Sequence, residues 1–134
     1  MTWRAGRAYA RRRFLRPTGR ALEGDFLLVV TTCGNAEHGR ELAQALVGER
    51  LAACVNVVPR VSSIYWWDGK IEHADECLLL IKTTRERFDA LERTIKARSR
   101  YELPEIIALG IEDGSTEYLR WLEASVALKG THGP

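Results

Sequence analysis

The side chains best suited to ligand chemistry in this sequence are three cysteines, Cys33, Cys54 and Cys77, with His38 about one helical turn beyond the first of them. Cys33 sits just ahead of an expected helix N-terminus, where a thiolate is favoured and a soft ion such as Cu(I) could bind. The plainer reading is a small apolar thiol filling the end of a strand, and it applies equally to Cys54 and Cys77. Cys33, His38 and Cys54 are therefore the metal-ligand candidates, for copper or another divalent metal, while His73 reads as a surface residue of a hairpin. An odd number of cysteines without C-x-x-C spacing suits a reducing compartment better than a disulfide framework.

A second polar set is Glu76, Lys82, Tyr101 and Glu105. An acid and a lysine near aromatic walls could line a cleft between subunits and take a small charged ligand. The same groups could instead pair at a buried interface and give specificity of assembly. Gly34-Asn35 could offer backbone N–H groups to an anion, but ordinary helix capping explains the pair. No Ser-His-Asp or Cys-His pair has a recognisable local context, so the expectation is a protein that is not an enzyme and requires no cofactor.

Positioning these groups falls to elements that the hydrophobic pattern marks out. Phe26 to Thr32 is apolar, β-branched and uncharged, as a central strand is, and Cys33-Gly34-Asn35 stops it. Asn35 caps a helix with Leu42, Ala43, Leu46 and Val47 as its buried stripe. From Leu51 to Trp67 the chain is β-rich, and Asp68-Gly69 is a two-residue hairpin signal before a return strand from Lys70 to Thr83. Pro59 cannot donate to a ladder and calls for a bulge or an edge position. Thr84 caps a second helix with Phe88, Leu91 and Ile95 on one face. Glu105 to Glu112 alternates as a last strand, and Ser115 caps a closing helix carrying Tyr118, Trp121, Leu122 and Val126. Strand, helix, strand, strand, helix, strand is an α/β (α+β) plan: a ferredoxin-like split β-α-β sandwich with a long hairpin and an added C-terminal helix.

The hairpin also limits where the thiols can meet. If Asp68-Gly69 sets the register, Cys54 faces Thr83 and Cys77 faces Arg60, with a possible shift of one at Pro59. Cys54 and Cys77 are then about six residues, roughly 20 Å, apart along the ladder and cannot share an ion within one chain.

At 134 residues and 46% hydrophobic content the chain supports one domain, expected over residues 25–128. No apolar run approaches the roughly 20 residues of a membrane-spanning helix. Residues 1–24 carry seven Arg against Glu23, and removing this +6 from the net +2 leaves −4 for the rest. The folded part is thus a poor nucleic-acid binder, and any such contact falls to the basic segment. That segment reads as a disordered extension, or as an organellar transit peptide although it lacks serine; otherwise the expected location is cytoplasmic. Residues 129–134 read as a frayed end.

A mismatch of lengths argues against a monomer. A helix from Ala36 to Gly48 covers about 20 Å, whereas a strand from Leu51 to Trp67 runs roughly 55 Å. The overhanging end bears Ile64, Tyr65, Trp66, Trp67 and Ile71, which no helix of the same chain reaches. Burying each such side chain contributes on the order of 1.5–3 kcal/mol, so another copy is expected to cover them.

The blocks Leu51-Ala52-Ala53-Cys54-Val55-Asn56, Pro59, Ser63, Tyr65, Trp67, Gly69, Glu76 and Lys82-Thr83-Thr84 resemble the signature of the CutA family of divalent-cation tolerance proteins. So do Tyr101-x-x-Pro104-Glu105 and Tyr118-Leu119-x-Trp121, and the resemblance covers about Phe26 to Val126. It implies a ferredoxin-like protomer in a tight homotrimer, with Trp121 joining Ile64, Tyr65, Trp66, Trp67 and Ile71 as interface candidates. It further implies heat resistance, an architecture like that of the PII signalling proteins, a response to metal ions with weak copper binding, and no enzymatic reaction. Ser99 and Arg100 stand where the family commonly carries His-Pro, which weakens any metal role resting on that histidine.

Overall fold

The computed structural model describes residues 26–128; the expectations for residues 1–25 and 129–134 lie outside that range. The elements run β1 (Phe26–Cys33), α1 (Ala36–Gly48), β2 (Cys54–Trp67), β3 (Lys70–Thr84), α2 (Arg85–Arg98), β4 (Ile107–Gly110) and α3 (Thr116–Ser125). The strands form one antiparallel sheet in the order β2-β3-β1-β4. This is the ferredoxin-like plan expected from the order of elements, with α3 added.

Local chemistry fixes the joints. Asn35 caps α1 by accepting a hydrogen bond from the His38 N–H at 2.8 Å, and Ser115 accepts from the Tyr118 N–H at 3.2 Å to start α3. Thr84, the last residue of β3, stands at the N-cap of α2 but makes no side-chain capping bond. Asp68 and Gly69 turn the hairpin with φ of 52° and 77°, the paired left-handed conformations of a tight antiparallel turn.

At Pro59 the register slips as expected. Above it Val61 faces Glu76 and Trp67 faces Lys70; below it Val58 faces Leu78 and Cys54 faces Lys82, one residue short of Thr83. Strand β2 starts at Cys54 rather than Leu51. The N–H groups of Leu51 and Ala52 instead bond to the Leu46 carbonyl at the end of α1, and the Thr83 hydroxyl donates to the Leu51 carbonyl at 2.7 Å. Strand β4 is shorter than the expected Glu105–Glu112, since it pairs with β1 through four rungs, from Leu27 with Gly110 to Val30 with Ile107.

The two faces of the sheet are covered unequally. Leu27, Val29, Cys33, Cys77, Leu79 and Ile81 point to one face and pack with Leu42 and Leu46 of α1 and Leu91 and Ile95 of α2. On the opposite face α3 seals only one end, with Leu119 and Leu122 against Phe26. Beyond α3, Leu28, Val30, Leu78 and Leu80 are half-buried and Ile107 and Leu109 exposed. The buried stripe of α1 ends one residue earlier than its apolar pattern. Val47 is exposed, so α1 buries Gly39, Leu42, Ala43 and Leu46. On α3 Tyr118 and Trp121 are exposed, and the buried residues are Leu119 and Leu122, followed by Val126.

Arg50 joins the helices at their ends. Its backbone takes φ 57°, its Nη1 donates to the Ser125 carbonyl at 3.0 Å, and its own carbonyl accepts from Arg87 Nε at 3.2 Å.

Helix α1 lies so close to the sheet that a Cβ at Gly39 would stand 2.5 Å from Cys77 Sγ. Gly39→Ala is therefore expected to destabilise the fold by about 1–3 kcal/mol through overpacking, although alanine favours an isolated helix by about 1 kcal/mol. Introduced into Cys77→Ala, the same substitution should become neutral or stabilising; urea unfolding midpoints of the four proteins in this cycle measure the coupling.

Candidate functional site

The overhanging hairpin and the segment after α2 enclose a concave surface of about 540 Å³. Tyr65 and Trp67 form aromatic walls, and Glu76, Tyr101, Glu102 and Glu105 supply its ionisable groups. β3 places Glu76 at the first rung above the bulge, opposite Val61. Tyr101, two residues beyond the cap of α2, is fixed when its hydroxyl donates to Glu76 Oε2 at 2.6 Å and its N–H to Ser99 Oγ at 3.0 Å. Partial burial, then the bond to Glu76, holds the Tyr101 phenol above the ordinary tyrosine range. The rim is apolar and wet: Trp66 is 73% and Ile64 67% exposed.

Three of the four expected cleft residues, Glu76, Tyr101 and Glu105, thus line one hollow. Lys82 does not, being six residues from Glu76 along β3, about 20 Å at 3.3 Å per residue. It lies instead on the partly open sheet face, bonded to Asn56 Oδ1 and 3.8 Å from Cys54 Sγ. Tyr118 completes this second cluster, its phenol raised by burial and then by Cys54, and its ring lies 5.3 Å from that of Trp121. Trp121 accordingly sits with α3 and not with the hairpin tip that carries Ile64, Tyr65, Trp66, Trp67 and Ile71.

The metal-ligand candidates divide in the same way. Cys33 ends β1 beneath α1, and His38 lines a small cavity with it. Cys54 faces Lys82, which faces Leu28, five residues along β1 from Cys33 and on the other side of the sheet. One ion cannot reach both within a single chain. No group of three or more His, Cys, Asp or Glu side chains is gathered for a metal among the described residues. The helix N-terminus also fails to favour a Cys33 thiolate: burial, then Cys77 and Glu76, pushes this thiol up to about 11.

Sequence reasoning missed that Cys33 and Cys77 are direct partners across β1 and β3. Counting back from the Asp68-Gly69 turn set Cys77 only against β2. The available signal was the antiparallel pairing of β1 with β3, which brings two strand-borne thiols onto one face.

The fold and this arrangement define a small ferredoxin-like α+β protein with a projecting aromatic hairpin and an acidic-aromatic hollow. The chain belongs to the CutA1 divalent ion tolerance protein family, whose model matches residues 27–125. The divalent-cation tolerance protein CutA of Thermus thermophilus is 50% identical over 95 residues, covering 71% of this chain and 92% of that protein. The chloroplastic protein CutA 1 of Oryza sativa is 46% identical over 99 residues, 74% of this chain, and the match spans 56% of that longer protein. Among solved structures, CutA1 from Oryza sativa superposes with a TM-score of 0.74 at 45% identity, covering 76% of this chain and 94% of that one. The Thermus thermophilus protein gives 0.74 at 46% identity, covering 76% and 99%. No helix among the described residues is long and apolar enough to cross a membrane.

Replacing Tyr101 with Phe removes the bond to Glu76, and we expect a loss of about 1 kcal/mol, small because the site is partly exposed. A phenol whose pKa is raised on folding stabilises fully below the unfolded value of about 10, and this contribution declines as pH rises through and beyond that value. Unfolding midpoints from pH 7 to 11 should therefore fall more steeply for the parent than for Tyr101→Phe.

Proposed function

We propose that this protein is a homotrimeric divalent-cation tolerance protein that serves the response to metal ions and binds copper weakly, without catalysing a reaction. The observation that carries self-association is the exposed aromatic hairpin end, continued by the part of the sheet face that α3 leaves uncovered. Each large apolar side chain there offers about 1.5–3 kcal/mol on burial, and a closed ring lets every overhang shelter on the next copy. Lys82, Asn56 and Cys54 would then lie at the seam, where a satisfied polar cluster sets the register of assembly. The metal role rests on the family and on names such as that of the Thermus thermophilus relative. A copper ion would draw on Cys33 with His38, or on surface groups contributed by more than one copy.

The hollow supports a second reading, a PII-like scaffold or signalling module. Glu76, Tyr101, Glu105 and Trp67 present acid and aromatic groups to one hollow, and a neighbouring copy would complete a cleft for a small ligand or a partner protein. A cytoplasmic site of action goes with this reading; the chloroplastic naming of the rice and Arabidopsis thaliana relatives favours an organellar one.

Sedimentation equilibrium of the full chain should return three times the 15.2 kDa protomer mass, and Ile64→Asp with Trp66→Asp should release protomers that keep the circular dichroism of the parent. A parent chain that stays monomeric when dilute refutes the assembly. Titration with Cu(I) under reducing conditions should show weak binding that Cys33→Ala diminishes; undiminished affinity in that variant moves ligation to another residue.

A further inference from the structure

Cys33 and Cys77 are both free thiols, and they occupy the last rung of the β1–β3 ladder as Cα partners. Directly opposed residues of an antiparallel pair have Cα atoms about 4.5 or 5.5 Å apart, according to the type of rung. Both values fall within the roughly 4.4–6.8 Å that a disulfide spans. The two side chains leave the same face of the sheet, toward α1. Being the final rung, the pair is followed on one strand by Gly34, which leaves the ladder and gives the end of β1 room to adjust. Cys33 senses its neighbour, since Cys77 is the largest influence on this thiol after burial.

We propose that Cys33 and Cys77 are a site of reversible oxidation, converted by hydrogen peroxide from a buried dithiol into a disulfide within one chain that fastens β1 to β3. Access is through a cavity of about 100 Å³ lined by Cys33, His38, Ser99 and Tyr101 among others. Such a space admits molecules the size of water, and hydrogen peroxide is little larger. Cys33 lines this cavity and Cys77 does not, which sets the order of events. The Cys33 sulfur, as thiolate, attacks one peroxide oxygen; the O–O bond breaks, the sulfur becomes a sulfenic acid, and the departing oxygen leaves as water after taking up a proton. The Cys77 sulfur then attacks Cys33 Sγ, forming the S–S bond and expelling the sulfenic oxygen as a second water. In sum, two thiols lose two electrons and two protons, and one peroxide is reduced to two waters. Burial holds both thiols protonated at neutral pH, so the pair responds to sustained oxidant and not to a brief pulse.

The bond closes the chain from Cys33 to Cys77 and lies where the hairpin begins to project beyond β1. Oxidation therefore ties the base of the projection to the central strand. The consequence is greater resistance to unfolding, since cross-linking restricts the unfolded chain.

The test exposes the folded full-length chain to hydrogen peroxide at neutral pH, blocks remaining thiols and maps peptides by mass. The expected result is a linked Cys33–Cys77 peptide, two hydrogens lost from the intact mass, a monomer-sized band on a non-reducing denaturing gel, and reversal by dithiothreitol. The oxidised parent should also unfold at a higher urea concentration than the reduced one. Cys77→Val, which keeps the core apolar, should stop at a Cys33 sulfenic acid that dimedone traps and should show no shift in midpoint; Cys54→Ser should behave as the parent. A bond involving Cys54, a band of linked chains, sulfinic acid at Cys33 without a bond in the parent, or intact Cys33 and Cys77 thiols once Cys54 has oxidised would each overturn the proposal.

Discussion

Helices α1 and α2, of 13 and 14 residues, rest on strands β2 and β3 of 14 and 15 residues. A helical residue advances about 1.5 Å and a strand residue about 3.3 Å, so the helices shelter less than half of the hairpin. Much of the molecule follows from this inequality. The sheltered half holds a dense core in which Leu27, Val29, Leu79 and Ile81 are fully buried. The other half keeps its ladder but exposes its side chains, and there the aromatic residues and the acidic hollow lie.

The bulge at Pro59 stands where the character of the hairpin changes. Below it, the residues of β3 alternate between buried and half-buried, as a central strand covered on one face does; above it, nearly all are exposed. A proline in the middle of a paired strand removes a ladder donor, and β2 is free to accept one because it is an edge strand. The Arg60–Asp75 ion pair at 2.8 Å beside the bulge is well exposed and contributes little on its own. What holds the projecting arms together is their backbone pairing from Val61 with Glu76 to Trp67 with Lys70.

Much of the fold was legible in the sequence because its signals are local. Asn35, Ser115 and Asp68-Gly69 act through neighbours a few residues away, and each performs the expected task. Errors came where a distant group decided the outcome. Leu51 reads as strand from composition, yet its N–H finds the Leu46 carbonyl first. Val47 reads as part of the buried stripe of α1, yet it is exposed while Leu46 beside it is fully covered. The site was legible in part: Glu76, Tyr101 and Glu105 come to one hollow, while Lys82 is carried to the other end of its strand. Polar residues reveal in sequence that they have a task, whereas which of them share it depends on register, and the register turned on one bulge. The opposition of Cys33 and Cys77 was beyond reach of the hairpin turn alone, since it belongs to the pairing of β1 with β3.

Arg50 occupies a backbone conformation with φ 57°, which costs a residue with a side chain about 1–2 kcal/mol and glycine almost nothing. Its guanidinium passes from the end of α1, on one side of the sheet, to the last residue of α3, on the other, while α2 holds its carbonyl. It works as a buckle fastened around the rim of the β-layer. Glycine at this place would relax the turn and leave the strap undone, so local comfort is surrendered for closure of the whole.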